Sequence, residues 1–137
     1  MGVRYALTQA FFMVLVPLVQ LVAGLFMWLR PPRRINPIYG YRTALSMKNE
    51  DTWAFAHWHC GRLWTVVGLV QLVLSGVVAV WVLTQGRTSL MMLEMTLIFT
   101  QTLVLLVSIV PTEVVMRRTF DRKGRRLPPQ GGGTAPH

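Results

Sequence analysis

From Tyr5 to Leu29 the chain runs for twenty-five residues without a charge, and about 20 apolar residues are enough for an α-helix to cross the hydrocarbon core of a bilayer. Two further apolar runs follow, at about residues 63–84 and 90–116. Lipid offers no partner to a bare backbone N–H or C=O, so segments of this kind cross as helices. The predicted fold class is an all-α integral membrane protein with three transmembrane helices. The composition agrees: 53% of the residues are hydrophobic and only 14% charged, where a soluble domain carries about 25% charged residues. Cys60 is the sole cysteine, so no internal disulfide is available.

Pro17 falls near the middle of the first run. There it removes one helical hydrogen bond and kinks the helix, a defect that neighbouring helices can compensate. A cleavable signal peptide is the competing reading. It is disfavoured because only Arg4 precedes the run, no A-x-A site follows it, and RPPRR comes directly after. Orientation follows from Lys and Arg. Six lie in the first connection (Arg30, Arg33, Arg34, Arg42, Lys48, Arg62) and six in the tail (Arg117, Arg118, Arg122, Lys123, Arg125, Arg126), against Arg4 and Arg87 on the other side. Twelve against two predicts an outside N-terminus, with connector and tail in the cytoplasm.

The connector, residues 30–62, is the one long segment before the tail that does not suit lipid. Asn-Pro and Tyr-Gly predict an ordered loop to about Met47. A helix then starts near Glu50, with Asn49 as N-cap and Glu50 and Asp51 at the positive end of its dipole. It continues into the second span. On it Trp53, His57, Cys60 and Trp64 share one stripe. Gly61, Thr65, Gly68, Leu72, Ser75 and Ala79 form another, small enough for close helix approach, which makes this helix the central one. Residues 1–126 thus read as one membrane domain with a cytoplasmic cap at 30–62. Residues 127–137, rich in Pro and Gly, read as a disordered tail.

Polar residues inside the spans form stripes that should face the bundle. Glu94, Gln101 and Ser108 recur every seven residues, and Gln9, Gln20 and Gly24 share a face of the first helix. Gln20 and Gln71 both fall roughly 12 to 14 Å from the cytoplasmic face at ~1.5 Å per residue. Two readings stand for Gln20, Gln71 and Gln101: interhelical hydrogen bonds worth about 1 kcal/mol or less each, or a polar path for an ion or proton. Glu94 either pairs with Arg4 or Arg87 or takes part in ligand recognition.

The run Asn36-Pro37-Ile38-Tyr39-Gly40-Tyr41-Arg42-Thr43, then Ser46-Met47-Lys48-Asn49, then Trp53, Ala56, His57 and Gly61, resembles the signature of the SdpI family of small bacterial membrane proteins. Pro111-Thr112-Glu113 and the basic F-D-x-x-G at Phe120 to Gly124 are similar to that family's ending. The resemblance covers about residues 10 to 125. It implies a three-span module in the bacterial cytoplasmic membrane. It also implies immunity against a secreted toxic peptide or, as a receptor, capture of a transcriptional repressor at the membrane. The family's namesake is longer, with further spans before this module.

In physical terms the motif suits a rigid cap. Asn36 and Thr43 can tie loop backbone groups, Gly40 permits a turn closed to other residues, and Arg42 can hold a carboxylate, a phosphate or a helix C-terminus. Trp53 and the tyrosines suit the headgroup region. The cap either only closes the bundle or binds a peptide, protein or lipid headgroup through Asn36, Tyr39, Gly40, Arg42, Thr43, Asn49, Trp53 and His57. No catalytic pattern and no cofactor motif is present, so the chain is not expected to be an enzyme. His57, His59 and Cys60 do not give zinc its usual three or four converging ligands, and no metal is expected. The basic tail reads as a membrane-surface anchor or as a docking site for a soluble protein. Membrane lipids, a toxic peptide or repressor, and a second copy of the chain are the expected partners, without direct nucleic-acid binding. A small transporter or channel subunit lined by Gln20, Gln71, Gln101 and Glu94 is the alternative function.

Overall fold

A computed structural model describes residues 2–84 and 91–128. Its helices are α1 (Gly2–Leu29), α2 (Glu50–Thr84), α3 (Met91–Val107) and α4 (Ile109–Thr119). Three helical stretches are long and apolar enough to cross a membrane, Arg4–Leu29, Glu50–Thr84 and Met91–Thr119. The fold class is therefore all-α, with no strand among the described residues beyond one isolated bridge. The predicted turn carrying Arg87 and residues 129–137 of the predicted tail lie outside the described residues.

The third stretch is interrupted at Ser108. Pro111 is the cause: it has no N–H to offer Val107, and its ring crowds that carbonyl. Ser108 keeps its own N–H on the Val104 carbonyl at 2.9 Å and turns its hydroxyl back to the Leu105 carbonyl at 2.6 Å.

The tightest packing is between α1 and α2, which meet along most of their length. A Cβ on Gly61 would lie 2.5 Å from the Trp28 backbone nitrogen, one on Gly24 2.6 Å from the Thr65 nitrogen, and one on Gly68 2.8 Å from the Leu21 nitrogen. The two backbones are therefore in direct contact. In lipid, where apolar surface gains nothing by meeting other apolar surface, such close approach supplies the dispersion energy of association. The predicted small-residue stripe is the one used: Gly61, Gly68, Ser75 and Ala79 are buried, with Thr65 and Leu72 partly so. α4 packs on α2 and α3 on α1, so α2 lies between its neighbours only at the cap end, while further along the bundle α1 stands between α2 and α3, where the small-residue stripe predicts α2 as the central helix.

Pro17 leaves the Met13 carbonyl without its helical donor. Gln101 on α3 supplies the replacement: its Nε2 donates to Met13 O at 3.1 Å and to Ser75 Oγ at 2.6 Å, and Ser75 Oγ in turn donates to Gln71 O at 2.6 Å. One amide thus ties all three spans at one level. Replacing Gln101 with Leu should cost about 1 kcal/mol, the usual worth of an interhelical hydrogen bond in a membrane. In a Pro17→Ala background the cost should shrink, because the alanine restores an N–H to Met13 O. A double-mutant cycle read by thermal unfolding in detergent checks this; equal costs in both backgrounds would remove Pro17 from the account.

The other polar stripe residues also face inward. Gln9, Gln20, Glu94 and Ser108 are buried, as expected from their spacing. The amides differ in what they find. Gln101 bonds across helices through Nε2, whereas its own Oε1, both amide atoms of Gln9 and of Gln20, and Oε1 of Gln71 have no partner among the described residues. Glu94 forms no ion pair there either, with Arg4 or any other described residue.

Candidate functional site

The cap is built on hydrogen bonds that the loop sequence makes with itself and with the start of α2. Asn36 Oδ1 accepts the N–H groups of Ile38 and Tyr39 at 3.0 and 2.7 Å, closing a turn. Gly40 follows at φ +116°, a conformation that side chains rarely permit. The Thr43 and Ser46 hydroxyls each accept the other's N–H, and Ser46 Oγ donates to the Tyr41 carbonyl at 2.9 Å. Asn49 is the N-cap of α2, as expected: its Oδ1 accepts the Thr52 N–H at 2.9 Å, and Thr52 Oγ1 accepts the Asn49 N–H at 3.1 Å.

His57 is the point on which this loop closes. The Trp53 carbonyl, which can only accept, lies 2.7 Å from His57 Nδ1, so that nitrogen carries the hydrogen. Nε2 is then bare and accepts the Tyr41 N–H at 3.0 Å. The ring is neutral, fully buried, and packed against Trp53 with centroids 4.2 Å apart. Gly40 sits on both rings: a Cβ there would overlap His57 Nε2 and come within 3.1 Å of Trp53 Cη2. Trp53 itself differs from the expectation of a headgroup-facing indole. It is 1% exposed, and its Nε1–H is spent on the Pro32 carbonyl at 2.8 Å, so it forms the interior of the cap. Of the predicted cap residues, Tyr39 and Arg42 are exposed, and Arg42 has no ion-pair partner among the described residues.

The chain beyond α4 returns to the cap. Phe120 to Leu127 fold back on themselves, with the Asp121 N–H on Arg125 O and the Leu127 N–H on Thr119 O, each at 2.8 Å. Asp121 Oδ1 accepts the N–H groups of Lys123 and Arg125, and Gly124 takes φ +81°. Those backbone donors, that of Arg125 first, hold the Asp121 carboxyl below the usual range. This hairpin docks on the start of α2. Phe120 is buried edge-on against Phe55, Asn49 Nδ2 donates to Gly124 O at 2.8 Å, and Arg126 grips Asp51 with two nitrogens at 2.6 and 2.7 Å. Asn49 therefore caps the helix and holds the hairpin at once.

The tail's charge is partly neutralised within the chain. Arg117 pairs with Glu113, Arg125 with Asp121 and Arg126 with Asp51, all near the surface, where such pairs contribute little stability. Arg118, Arg122 and Lys123 are exposed and make no ion pair among the described residues. A groove of about 620 Å³ lies between the loop, α4 and the hairpin. It is lined by the apolar side chains of Leu45, Phe120 and Leu127 and by both signs of charge: Glu113 and Asp121, which are paired with Arg117 and Arg125, and Lys48 and Arg122, which make no ion pair among the described residues. Tyr41 is buried, its hydroxyl 3.3 Å from the Ile109 carbonyl. Burial, and then the Glu113 carboxylate, push its pKa above the usual tyrosine value.

Cys60 is fully buried and His59 faces Thr112 at 3.1 Å. Among the described residues, no three of His, Cys, Asp and Glu come together as metal ligands. The sequence reading missed Ser46, Thr52, Phe120, Asp121 and Gly124 as cap residues. The signal for the last three was present in F-D-x-x-G, an aromatic anchor followed by an Asp-stabilised turn with a glycine at its left-handed position.

A family model described as the SdpI/YfhL protein family matches residues 33–112, which include most of the cap loop, α2 and α3. Among curated proteins, the chain is similar to the uncharacterized protein YfhL of Bacillus subtilis (strain 168), 38% identical over 52 residues. Those residues are 38% of this chain and 47% of YfhL, so the chain matches about half the length of that relative. No solved structure matches.

Proposed function

The chain belongs to the SdpI/YfhL protein family, and from that premise we propose that it protects a bacterial cell against, or senses, a membrane-active toxic peptide through a partner bound at its cap. What supports this reading is the groove of about 620 Å³ lined by Leu45, Phe120 and Leu127, where Glu113 and Asp121 already hold arginines of the chain and Lys48 and Arg122 are left without an ion-pair partner among the described residues. That pattern suits an amphipathic segment with acidic residues, either of the toxic peptide or of a captured repressor. The protein is multi-pass. We place its cap and C-terminus in the cytoplasm of the cell membrane, on the distribution of Lys and Arg. The role is one of binding, without catalysis or contact with nucleic acid.

Cells that express the chain should survive a secreted membrane-active peptide that kills cells lacking it. Lys48→Glu with Arg122→Glu should lower that protection by at least about tenfold, since like charges brought together at an interface cost several kcal/mol. Arg42→Ala should lower it as well. Undiminished protection in both variants would remove the cap from the function. Orientation is read by a reporter after His137, or by thiol labelling of Ile38→Cys, since Ile38 is 90% exposed whereas Cys60 is buried.

One observation favours a second reading, a small transporter or channel subunit. Gln9 and Gln20 are buried inside the spans with no hydrogen-bond partner among the described residues, and a polar solute passing between helices would supply one. Under this reading reconstituted liposomes show proton or ion flux that Gln20→Leu abolishes; under the first they show none.

A further inference from the structure

On the face of α1 turned away from the other helices, Leu18, Val22 and Phe26 recur every four residues and, with Val19, floor an open groove of about 630 Å³. All four side chains are exposed in the bundle. The groove is closed at one end by two polar side chains from different elements, Arg30 beyond the last turn of α1 and Tyr39 from the cap loop. Tyr39 is held in place by the Asn36 turn, and the loop by the Trp53–Pro32 and Tyr41–His57 hydrogen bonds. Arg30 makes no ion pair among the described residues. Ile38, beside Tyr39, is 90% exposed, a placement that suits a membrane surface better than water.

We infer that this groove holds one anionic diacyl phospholipid, its phosphate on Arg30 and the Tyr39 hydroxyl and an acyl chain along Leu18, Val22 and Phe26. The dimensions agree. Twelve residues separate Leu18 from Arg30, about 18 Å of helix at ~1.5 Å per residue, close to one leaflet of a hydrocarbon core about 30 Å thick. The charge agrees as well. A group at this end of α1 meets Arg30 first, with Arg33 and Arg34 three and four residues on, and guanidinium binds phosphate with two parallel hydrogen bonds. A soluble acidic peptide could reach Arg30 but has no means of lying along α1 within the bilayer, whereas a lipid chain is already there.

The test uses the purified full chain, delipidated in detergent and titrated with phosphatidylglycerol or phosphatidylcholine, with bound lipid counted by native mass spectrometry. One phosphatidylglycerol should be retained in preference to phosphatidylcholine. Arg30→Gln should reduce that preference at least about fivefold, the order expected of one basic side chain at an anionic surface. Val22→Trp, which fills the groove, should remove the retained lipid while circular dichroism shows the helices intact. Equal retention of the two lipids overturns the inference. So does a phosphatidylglycerol preference that survives Arg30→Gln, or retention unchanged by Val22→Trp.

Discussion

Leucine in place of Gly61 is expected to dismantle the α1–α2 pair. A Cβ at this position already lies 2.5 Å from the Trp28 nitrogen and 2.9 Å from the Gly24 carbonyl oxygen. Both neighbours are backbone, so no rotamer change makes room and the helices must part. Overpacking against movable side chains costs about 1–3 kcal/mol, and here the cost should exceed that range, because separating the helices also forfeits the contacts at Gly24 and Gly68. Gly76 is the internal control: nothing lies within 4 Å of a Cβ there, and Gly76→Leu should stay within about 0.5 kcal/mol of the parent chain. Thermal unfolding in detergent, followed by circular dichroism, measures both. If Gly61→Leu melts where Gly76→Leu does, direct backbone contact is not what joins these helices.

Gly40→Ala should have the next largest effect, confined to the cap. Alanine at φ +116° is strained by at least about 1–2 kcal/mol, the cost of left-handed backbone for an L-residue, and its methyl group overlaps the His57 ring. The loop must lift, and the Tyr41 N–H then loses its acceptor. Amide exchange at Tyr41 should accelerate strongly, while the melting of the bundle changes far less than in Gly61→Leu. Acid should act on the same bond. His57 Nε2 accepts only when unprotonated, so the closed cap excludes the imidazolium. Protection of Tyr41 should be complete above the ordinary histidine pKa of ~6.5 and fall as the pH drops below it. Exchange at Tyr41 that ignores both the substitution and the pH would mean that His57 does not close the loop.

Features with a regular period could be read from the chain. The small-residue stripe of α2 and the seven-residue polar stripe of α3 both face inward because helical geometry leaves no other face for them. Asn49 was legible as a cap because the carboxylates of Glu50 and Asp51 follow it. What could not be read was the identity of partners across space. That Pro17 would need a donor followed from its missing N–H; that Gln101 would provide it depends on the register of α3 against α1. Gln20 and Gln71 have the same chemistry as Gln101, yet their amides do not find such partners. Trp53 was misplaced for a related reason. Aromatic belts are a statistical property of membrane interfaces, and a tryptophan whose N–H is claimed by a loop carbonyl, as by Pro32, leaves that population. The hairpin at Phe120 to Leu127 is obscured by its six nearby positive charges, which suggest a membrane-surface anchor or a docking site for a soluble protein, although Asp51 and Asp121 are present to receive two of them.

The link from Gln101 to Met13 also bears on how the protein is made. Ribosomes deliver α1 to the bilayer well before α3 exists, and until residue 101 emerges the carbonyl freed by Pro17 has no native donor. The nascent first helix is therefore chemically unfinished, and its hydrogen bonding is completed only when the third span docks against it.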